Sequence, residues 1–237
     1  IKMRGLKYHG GYHDFTIERG GICVYPRLIA AQHHRTHSTD PVTTGLKELD
    51  ALLGDGLFPG TNALMAGPAG VGKTTTAVRC MIAALKRGQN AAYFLFDERL
   101  STLMIRSKAL GMDLQPFIDN GTLQIRQVDP AELSPGEFAH AVRRAVEDSD
   151  ASVVVIDSLN AYLHAMPSDN FLVLQMHELL SYLAQQGVVS IMVLGQHGVT
   201  GDLRSDIDIS YLADTVLMMR FFEAEGEIRK SISVIKT

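Results

Sequence analysis

The stretch from Gly67 to Thr74 constrains the fold of this chain more than any other. It reads Gly-Pro-Ala-Gly-Val-Gly-Lys-Thr and matches the pattern G-x-x-x-x-G-K-[ST] at every position. Because glycine has no Cβ, the backbone of such a loop can turn sharply and close its N–H groups around phosphate oxygens. The pattern therefore predicts a phosphate-binding loop, provided that a strand leads into it and a helix leads out of it.

The residues on either side of the loop supply that context. Residues 62–66 form a short, mostly apolar run typical of a buried strand, and residues 74–86 are predicted to be a helix, so that phosphates would lie on a helix N-terminus. Within the loop, Lys73 would reach the β- and γ-phosphates and the Thr74 hydroxyl would ligate Mg²⁺. The residues expected to contact the nucleotide are Gly67, Pro68, Ala69, Gly70, Val71, Gly72, Lys73, Thr74 and Thr75.

Strands and helices alternate along the rest of the chain. Near-continuous apolar runs are typical of strands buried on both faces, and apolar residues at helical spacing are typical of helices that cover a sheet. Residues 134–137 read Ser-Pro-Gly-Glu, a capping box with proline at the first helical position, and begin one such helix. Further predicted strands are residues 91–96, 123–128, 152–156 and 188–194, and further predicted helices are residues 46–53, 101–110 and 171–186.

This alternation predicts an α/β fold with a mostly parallel central sheet and helices on both faces, because right-handed crossovers connect parallel strands. Residues 215–221 and 228–235 are joined around Glu225-Gly226 and predict an antiparallel hairpin at one edge of that sheet. Ligands of such sheets collect at the carboxyl ends of the strands. The candidate functional residues should therefore follow the strands directly.

Acidic residues do follow two of the predicted strands. Asp157 comes after four β-branched residues and is predicted to hold Mg²⁺ together with Thr74. Asp97 and Glu98 follow the strand at residues 91–96, where a carboxylate could orient and deprotonate an attacking water. We favour Glu98 as this general base, with Asp97 as a close alternative, and we expect at least one of the two to cap the next helix near its positive end.

Two polar residues, Gln196 and His197, follow the strand predicted at residues 188–194. At the end of a strand that shares the ligand edge, they are placed to sense the γ-phosphate. The alternative interpretation is a pair of loop residues with no specific role. The sequence does not choose between the two.

Composition narrows the class of protein. The net charge of the 237 residues is −4, which gives no overall attraction to nucleic acid or to an anionic membrane. No apolar run approaches the roughly 18 residues that a membrane span needs, and no signal peptide is recognisable. Cys23 and Cys80 have no metal-type spacing and are interpreted as reduced thiols of a cytoplasmic protein.

The first forty residues differ from the rest of the chain. Residues 1–5, 14–17 and 22–25 are extended in character, and the polar residues 32–38 resemble a linker. His34 and His37 are spaced like metal ligands, but only Asp40 lies nearby, and a metal site needs more ligands than that. We therefore divide the chain into residues 1–40, an appended segment with a linker, and residues 41–237, a single domain.

Seven short motifs together carry a resemblance to a known family. The resemblance that they carry covers essentially all 237 residues, and the closing run is the most specific of the motifs. With these motifs the chain resembles the KaiC family of circadian-clock ATPases, a branch of the RecA-like group. The motifs are Thr44-Gly45-Leu46 with Leu49-Asp50 and Leu52-Leu53-Gly54, the phosphate loop, Asp97-Glu98, Gly111-Met112-Asp113-Leu114, Ile156-Asp157-Ser158-Leu159, Leu212-Ala213-Asp214-Thr215 and residues 224–236.

The resemblance implies a RecA-like P-loop NTPase fold and a hexameric ring that binds ATP and Mg²⁺ at its subunit interfaces and acts through partner clock or signalling proteins. Proteins of this family carry two copies of the ATPase domain, each ending in a K-x-R finger that reaches a neighbouring subunit's nucleotide. Lys2 and Arg4 resemble the finger of a preceding copy, and Lys236 resembles the start of the same element. By this resemblance residues 1–40 end a preceding repeat, and residues 41–237 are a second ATPase domain. Because no arginine follows Thr237, we expect ATP binding with slow hydrolysis.

The resemblance also implies serine/threonine autokinase activity. Family members that act in clocks phosphorylate an adjacent Ser-Thr pair before the edge hairpin. Ser210 aligns with the first site, and Tyr211 stands where the threonine would be. A single phosphosite at Ser210 is therefore one expectation, and an ordinary hydroxyl on an edge strand is the other. A phosphate there would add negative charge beside Asp206, Asp208 and Asp214, which could loosen a subunit contact.

Two other functions compete with this interpretation. A RecA- or RadA-like recombination ATPase would need basic loops that bind DNA, whereas residues 195–210 hold Asp202, Asp206 and Asp208 against Arg204 alone. A nucleotide-gated scaffold that scarcely hydrolyses ATP differs from an ATP-driven ring only in turnover. We therefore expect no nucleic-acid partner and no membrane association.

Overall fold

A computed structural model describes residues 10, 13–30, 33, 35–129, 131–164, 169–196 and 210–237. Several residues that the sequence singles out lie outside these ranges. They are Lys2, Arg4, His34, His197, Asp202, Arg204, Asp206 and Asp208.

Seven strands form the central sheet, in the order β5-β4-β6-β7-β3-β8-β9. All neighbouring pairs are parallel except β8 and β9, which form the antiparallel hairpin at the edge. The mostly parallel sheet and the edge hairpin are thus confirmed, with β8 itself parallel to β3. The strands are β3 (Asn62–Gly67), β4 (Asn90–Leu95), β5 (Leu123–Gln127), β6 (Ala151–Asp157), β7 (Val189–Gly195), β8 (Thr215–Ala224) and β9 (Glu227–Lys236).

Helices cover both faces of this sheet. Side chains of β3 alternate between the two faces: Ala63 and Met65 join the apolar cluster under α1, α2 and α3, and Leu64 and Ala66 join the cluster under α5, α6 and α7. Burial on both faces explains why the strands appear as continuous apolar runs in the sequence. The helices are α1 (Lys47–Leu53), α2 (Lys73–Lys86), α3 (Leu100–Ala109), α4 (Gln115–Asp119), α5 (Pro135–Ser149), α6 (Leu159–His164) and α7 (Asp169–Gln185).

The starts of two helices test the capping predictions. Ser134 caps α5 as predicted, because its side chain accepts a hydrogen bond from the backbone N–H of Glu137 at 3.2 Å. The expectation that Asp97 or Glu98 caps α3 is wrong. The N-cap residue is Arg99, which makes no side-chain capping bond, and the N–H of Leu100 donates instead to Gln127 Oε1 at 3.3 Å.

The N-terminal segment forms its own two-stranded antiparallel sheet, β1 (Asp14–Glu18) and β2 (Gly21–Tyr25). This hairpin packs on α5. Asp14 Oδ2 accepts a hydrogen bond from the N–H of Gly136 at 2.6 Å, and the buried ring of Tyr25 lies 5.7 Å from that of His140. Residues 35–40 have no regular secondary structure, as predicted for a linker. The division at residue 40 stays a prediction.

Phe138 on α5 provides a test of how the core is built. Its ring is 1% exposed and meets Phe94 and Phe96 edge-on, at 5.4 and 5.2 Å. Phe138→Ala should lower the free energy of unfolding by about 3–5 kcal/mol, because it removes a buried ring and leaves a cavity. Urea denaturation measures this. Phe15→Ala is the matched control, since Phe15 is 58% exposed and its loss should change stability within about 0.5 kcal/mol. Equal losses in the two variants would contradict the packing described.

Candidate functional site

A cavity of about 610 Å³ lies at the carboxyl ends of β3, β4, β6 and β7. Its size falls within the range of small-molecule sites. Lys73, Asp157 and Glu98, which the sequence predicts to share one site, all line it. The described residues that line it are Ala69, Gly70, Lys73, Thr74, Leu95, Asp97, Glu98, Arg106, Asp157, Ser158, Asn160, Val193, Gly195 and Gln196.

The phosphate loop connects β3 to α2, as its motif requires. Gly70 and Gly72 have φ angles of +77° and +117°, in the left-handed region that favours glycine. The backbone N–H groups of Lys73, Thr74 and Thr75 have no hydrogen-bond partner within the described part of the chain. Unpaired N–H groups at a helix N-terminus attract anions. This arrangement fits a bound phosphate.

The C-terminal hairpin packs against the same loop. A Cβ on Gly67 would lie 2.3 Å from the carbonyl oxygen of Met219 on β8, so only glycine fits there. From β9, Lys230 Nζ donates a hydrogen bond to the carbonyl oxygen of Gly70 at 2.9 Å. The loop is therefore supported from β8 and β9 as well as from β3.

Lys73 turns back onto its own loop. Its Nζ donates hydrogen bonds to the carbonyl oxygens of Gly67 and Pro68, each at 2.8 Å. Burial lowers the pKa of Lys73, and the nearby carboxylate of Asp157 opposes this shift. A phosphate group would offer the ammonium a charged acceptor in place of two neutral ones.

Asp157 ends β6 and is 7% exposed. Burial raises its pKa; hydrogen bonds from the hydroxyls of Tyr93 and Thr74 lower it, and the neighbouring carboxylate of Asp97 raises it. The Tyr93 hydroxyl donates to Asp157 Oδ2 at 2.7 Å. A buried carboxylate close to another is costly without a cation, and a carboxylate with a hydroxyl is an oxygen donor set that suits Mg²⁺.

Protein side chains alone do not complete a metal site. Among the residues that the structure describes, no group of three or more His, Cys, Asp or Glu side chains could hold an ion. Mg²⁺ typically binds proteins through one or two carboxylates together with substrate phosphates. Thr74 and Asp157 fit that mode, and in it the ion would arrive with the nucleotide.

The adjacent acids Asp97 and Glu98 have different partners. Both oxygens of Glu98 accept hydrogen bonds from Arg106 on α3, at 2.8 Å each. Asp97 Oδ2 accepts one from the Ser158 hydroxyl. These contacts explain why neither acid caps α3, because each carboxylate is engaged beside the cavity.

Sequence reasoning missed three of the residues at this site: Tyr93, Arg106 and Asn160. A tyrosine within a buried apolar strand was a usable signal, since its hydroxyl needs a partner. Arg106 and Asn160 gave no such signal. Arg106 pairs with Glu98, across the turn that precedes α3, and Asn160 pairs with Gly195, which is remote in sequence. Gln196 lies at the cavity as predicted, and its neighbour His197 is outside the described residues.

Some residues that the sequence predicts to be functional are absent from the described lining of the cavity: Gly67, Pro68, Val71, Gly72, Thr75 and Lys236. Lys236, near the end of β9, donates its Nζ hydrogen bond to the carbonyl oxygen of Ala213 at 2.6 Å. Ser210 opens a short 3₁₀ turn, Ser210–Leu212, directly before β8. None of the helices in the described ranges is long and apolar enough to cross a membrane.

Comparison with known proteins identifies a family for this chain. The family model described as "ATPase: KaiC" matches residues 42–237. Over 242 residues the chain is 25% identical to the circadian clock oscillator protein KaiC of Picosynechococcus sp. and also 25% identical to that of Synechococcus elongatus, covering all of this chain and 46% and 45% of those proteins. It is 26% identical to circadian clock protein KaiC2 of Synechocystis sp. over 243 residues, covering 42% of that relative.

The chain thus spans about half the length of the curated relatives that it matches. The matched region runs from the strand-like residues before α1 to the last residue of the C-terminal hairpin, and it contains the phosphate loop and all the acids that line the cavity. On this match, together with its RecA-like α/β fold, the chain belongs to the KaiC family of ATPases.

Proposed function

We propose that the chain binds ATP with Mg²⁺ in the cavity described above and hydrolyses it to ADP and phosphate. One observation carries this proposal. The phosphate loop, the buried Asp157 and the pair Asp97-Glu98 come from three separate strand ends and line a single cavity. A phosphate cradle, a metal ligand and a carboxylate base are the parts that phosphoryl transfer to water requires.

Binding of the triphosphate would use groups that are free or exchangeable in the structure. The N–H groups of Lys73, Thr74 and Thr75 would donate to phosphate oxygens. The Lys73 ammonium would leave the carbonyl oxygens of Gly67 and Pro68 for the β- and γ-phosphates. Thr74 and Asp157 would hold Mg²⁺, which neutralises charge on the phosphates when bound.

In hydrolysis, a water oxygen attacks the γ-phosphorus, the bond from that phosphorus to the β-γ bridging oxygen breaks, and the proton of the water passes to a carboxylate. The contacts give Asp97 a better claim to this role than Glu98, the residue that the sequence favoured. Glu98 has both oxygens paired with Arg106, whereas within the described residues only Oδ2 of Asp97 accepts a hydrogen bond, from Ser158. Glu98 would then hold Arg106 beside the cavity.

We further propose that the chain works as a subunit of a hexameric ring and is the second ATPase domain of a longer protein. Lys236 does not line the cavity of its own chain within the described residues, which agrees with a role toward a neighbour's nucleotide. A cation supplied from another subunit stabilises the transition state only when the ring closes. Hydrolysis would therefore depend on assembly. Lys2 and Arg4, the other predicted finger residues, lie outside the described part of the chain.

The relatives are named as circadian clock proteins. We propose by analogy that this chain works in a timing or signalling ring that acts through partner proteins. Cytoplasmic location is part of the same proposal, supported by the free thiols of Cys23 and Cys80. The alternative of a DNA-dependent recombination ATPase gains no support, because the matching family is that of KaiC and the net charge is −4.

Lys73→Ala tests nucleotide binding. The variant should lose about tenfold to 150-fold in ATP affinity, since hydrogen bonds to charged groups contribute about 1.5–3 kcal/mol. Calorimetric titration with ATP and Mg²⁺ measures the affinity. Lys86→Ala, at the other end of α2, is the matched control and should bind as the wild type does. Unchanged affinity in Lys73→Ala would contradict the proposed site. Phosphate release by the wild type that is fast per protomer and independent of protein concentration would contradict the ring.

The isosteric pair Asp97→Asn and Glu98→Gln tests which acid is the general base. Loss of a general base lowers kcat by about 10²–10⁴-fold. We expect a loss of this size in Asp97→Asn and a smaller one in Glu98→Gln, with ATP affinity retained in both. Steady-state phosphate release at saturating ATP measures kcat. The opposite order would assign the role to Glu98, and two unimpaired variants would exclude the pair altogether.

Autophosphorylation is a narrower proposal: the γ-phosphoryl group of ATP passes to Ser210 Oγ, the hydroxyl proton passes to a base and ADP leaves. The position of Ser210 in the short 3₁₀ turn directly before β8, where the resemblance places the first phosphosite, supports it. Incubation of the assembled protein with ATP and Mg²⁺ should give phosphate on the peptide that contains Ser210, detected by mass spectrometry. Ser210→Ala and Lys73→Ala should both lack it. Phosphate at Ser210 in Lys73→Ala would point to another kinase, and none in the wild type would end the proposal.

A further inference from the structure

Strand β7 separates the two halves of the proposed nucleotide site. In the sheet it lies between β3, which leads into the phosphate loop, and β6, which ends at Asp157. Lys73 and Thr74 therefore belong to one side of β7 and Asp157 to the other. For one Mg²⁺–nucleotide complex to contact both sides, the tip of β7 must hold them at a fixed separation.

The two neighbours of β7 end at different heights. Gly195 pairs with Gly67 of β3, but β6 ends two residues earlier along β7, where Asp157 pairs with Val193. On the β3 side the ladder continues beyond the strand, because the N–H of Gln196 donates to the carbonyl oxygen of Gly67 at 2.9 Å. On the β6 side no strand remains to pair with Gly195.

The side chain of Asn160, in the first turn of α6, fills this place. Its Nδ2 donates to the carbonyl oxygen of Gly195 at 3.0 Å, and its Oδ1 accepts from the N–H of Gly195 at 2.6 Å. One carboxamide thus makes the two hydrogen bonds to Gly195 that a longer parallel β6 would have made through two of its residues. Only this orientation of the amide gives both bonds a donor and an acceptor.

These contacts form a continuous connection across the site. It runs along the chain from Asp157 to Asn160, three positions later, and then through the two hydrogen bonds to Gly195. From there it continues to Gln196, whose N–H donates to the carbonyl oxygen of Gly67. That oxygen also accepts the Lys73 ammonium. The Asn160 side chain thus adds a link between the position of Asp157 and that of the phosphate loop, beside the strand pairing and the hydrogen bond of the Thr74 hydroxyl to Asp157.

A second observation shows that this connection reaches the cavity itself. Gln196 lines the cavity, and its Oε1 is buried without a hydrogen-bond partner in the described part of the chain. A buried amide oxygen without a partner is costly. Holding it at that place is useful if a ligand or a water bound to the ligand supplies the missing donor.

We propose that Asn160 is a positioning residue that fixes the separation between the phosphate loop and Asp157, so that Mg²⁺ and the triphosphate are bound together. Asn160 is not a catalytic residue, because it acts through the backbone of Gly195. The inference rests on the proposed nucleotide site and deepens it. It concerns the coupling between metal and nucleotide and does not require that the chain hydrolyses ATP.

The test is the gain in nucleotide affinity that Mg²⁺ provides, measured with the non-hydrolysable analogue AMP-PNP in the presence and absence of the ion. In Asn160→Ala this gain should fall by about tenfold, the lower end of the effects that residues behind metal ligands have. Affinity without Mg²⁺ should stay as in the wild type, because the phosphate loop itself is unchanged. Far-UV circular dichroism and urea denaturation establish that each variant is folded.

Gly195→Ala approaches the same contact from the other side. The added Cβ would lie 3.2 Å from Asn160 Oδ1, so the carboxamide must shift. This variant should also lose part of the Mg²⁺-dependent gain, and the double variant Asn160→Ala/Gly195→Ala should lose no more than Asn160→Ala alone. A general loss of stability would not produce this pattern.

Asn120→Ala is the matched control. Asn120 also makes two hydrogen bonds, accepting from the N–H and the hydroxyl of Thr122 at 3.0 and 2.7 Å, but it lies outside the cavity lining. Its Mg²⁺-dependent gain should equal that of the wild type. A full gain in Asn160→Ala, or additive losses in the double variant, would overturn the inference while leaving the proposed function intact. A wild type that binds no AMP-PNP would overturn both.

Discussion

The buried carboxylate of Asp157 is the constraint on which the site depends. Parallel strands on either side and helices on both faces withdraw it from water, which raises its pKa, and Asp97 adds a like charge nearby. The Tyr93 and Thr74 hydroxyls offset part of that cost, and the ammonium of Lys73 lies close enough to interact with it. Mg²⁺ bound as proposed would offset more of this cost, so that metal binding and the burial of Asp157 would be coupled.

The sheet order brings these groups together from remote parts of the chain. Residues from β3, β4 and β6 with their following loops reach one edge, because parallel strands all end on the same side. The insertion of β7 between β3 and β6 places the phosphate loop and Asp157 on opposite sides of one strand, and it makes the tip of β7 part of the cavity lining. The linker lies at the opposite edge of the sheet, where Arg35 pairs with Asp150 at the end of α5.

Much of this arrangement could be predicted from sequence, since the predictive signals are local. The phosphate loop is a contiguous motif, Asp157 ends a run of β-branched residues, and Ser134 caps its own helix three residues on. The partners of Glu98 could not be predicted. Arg106 reaches it from the second turn of α3, and the choice between capping that helix and pairing with the arginine depends on their relative geometry. Asn160 was equally hidden, because its partner Gly195 is far away in the sequence.

The support of the phosphate loop by the C-terminal hairpin has a mechanical consequence. Met219 of β8 lies against Gly67, and Lys230 of β9 holds the carbonyl oxygen of Gly70. Because β9 is the edge strand, a displacement of the hairpin would reach the phosphate loop through these two contacts. A molecule that binds to β9 from outside would thereby also displace the phosphate loop.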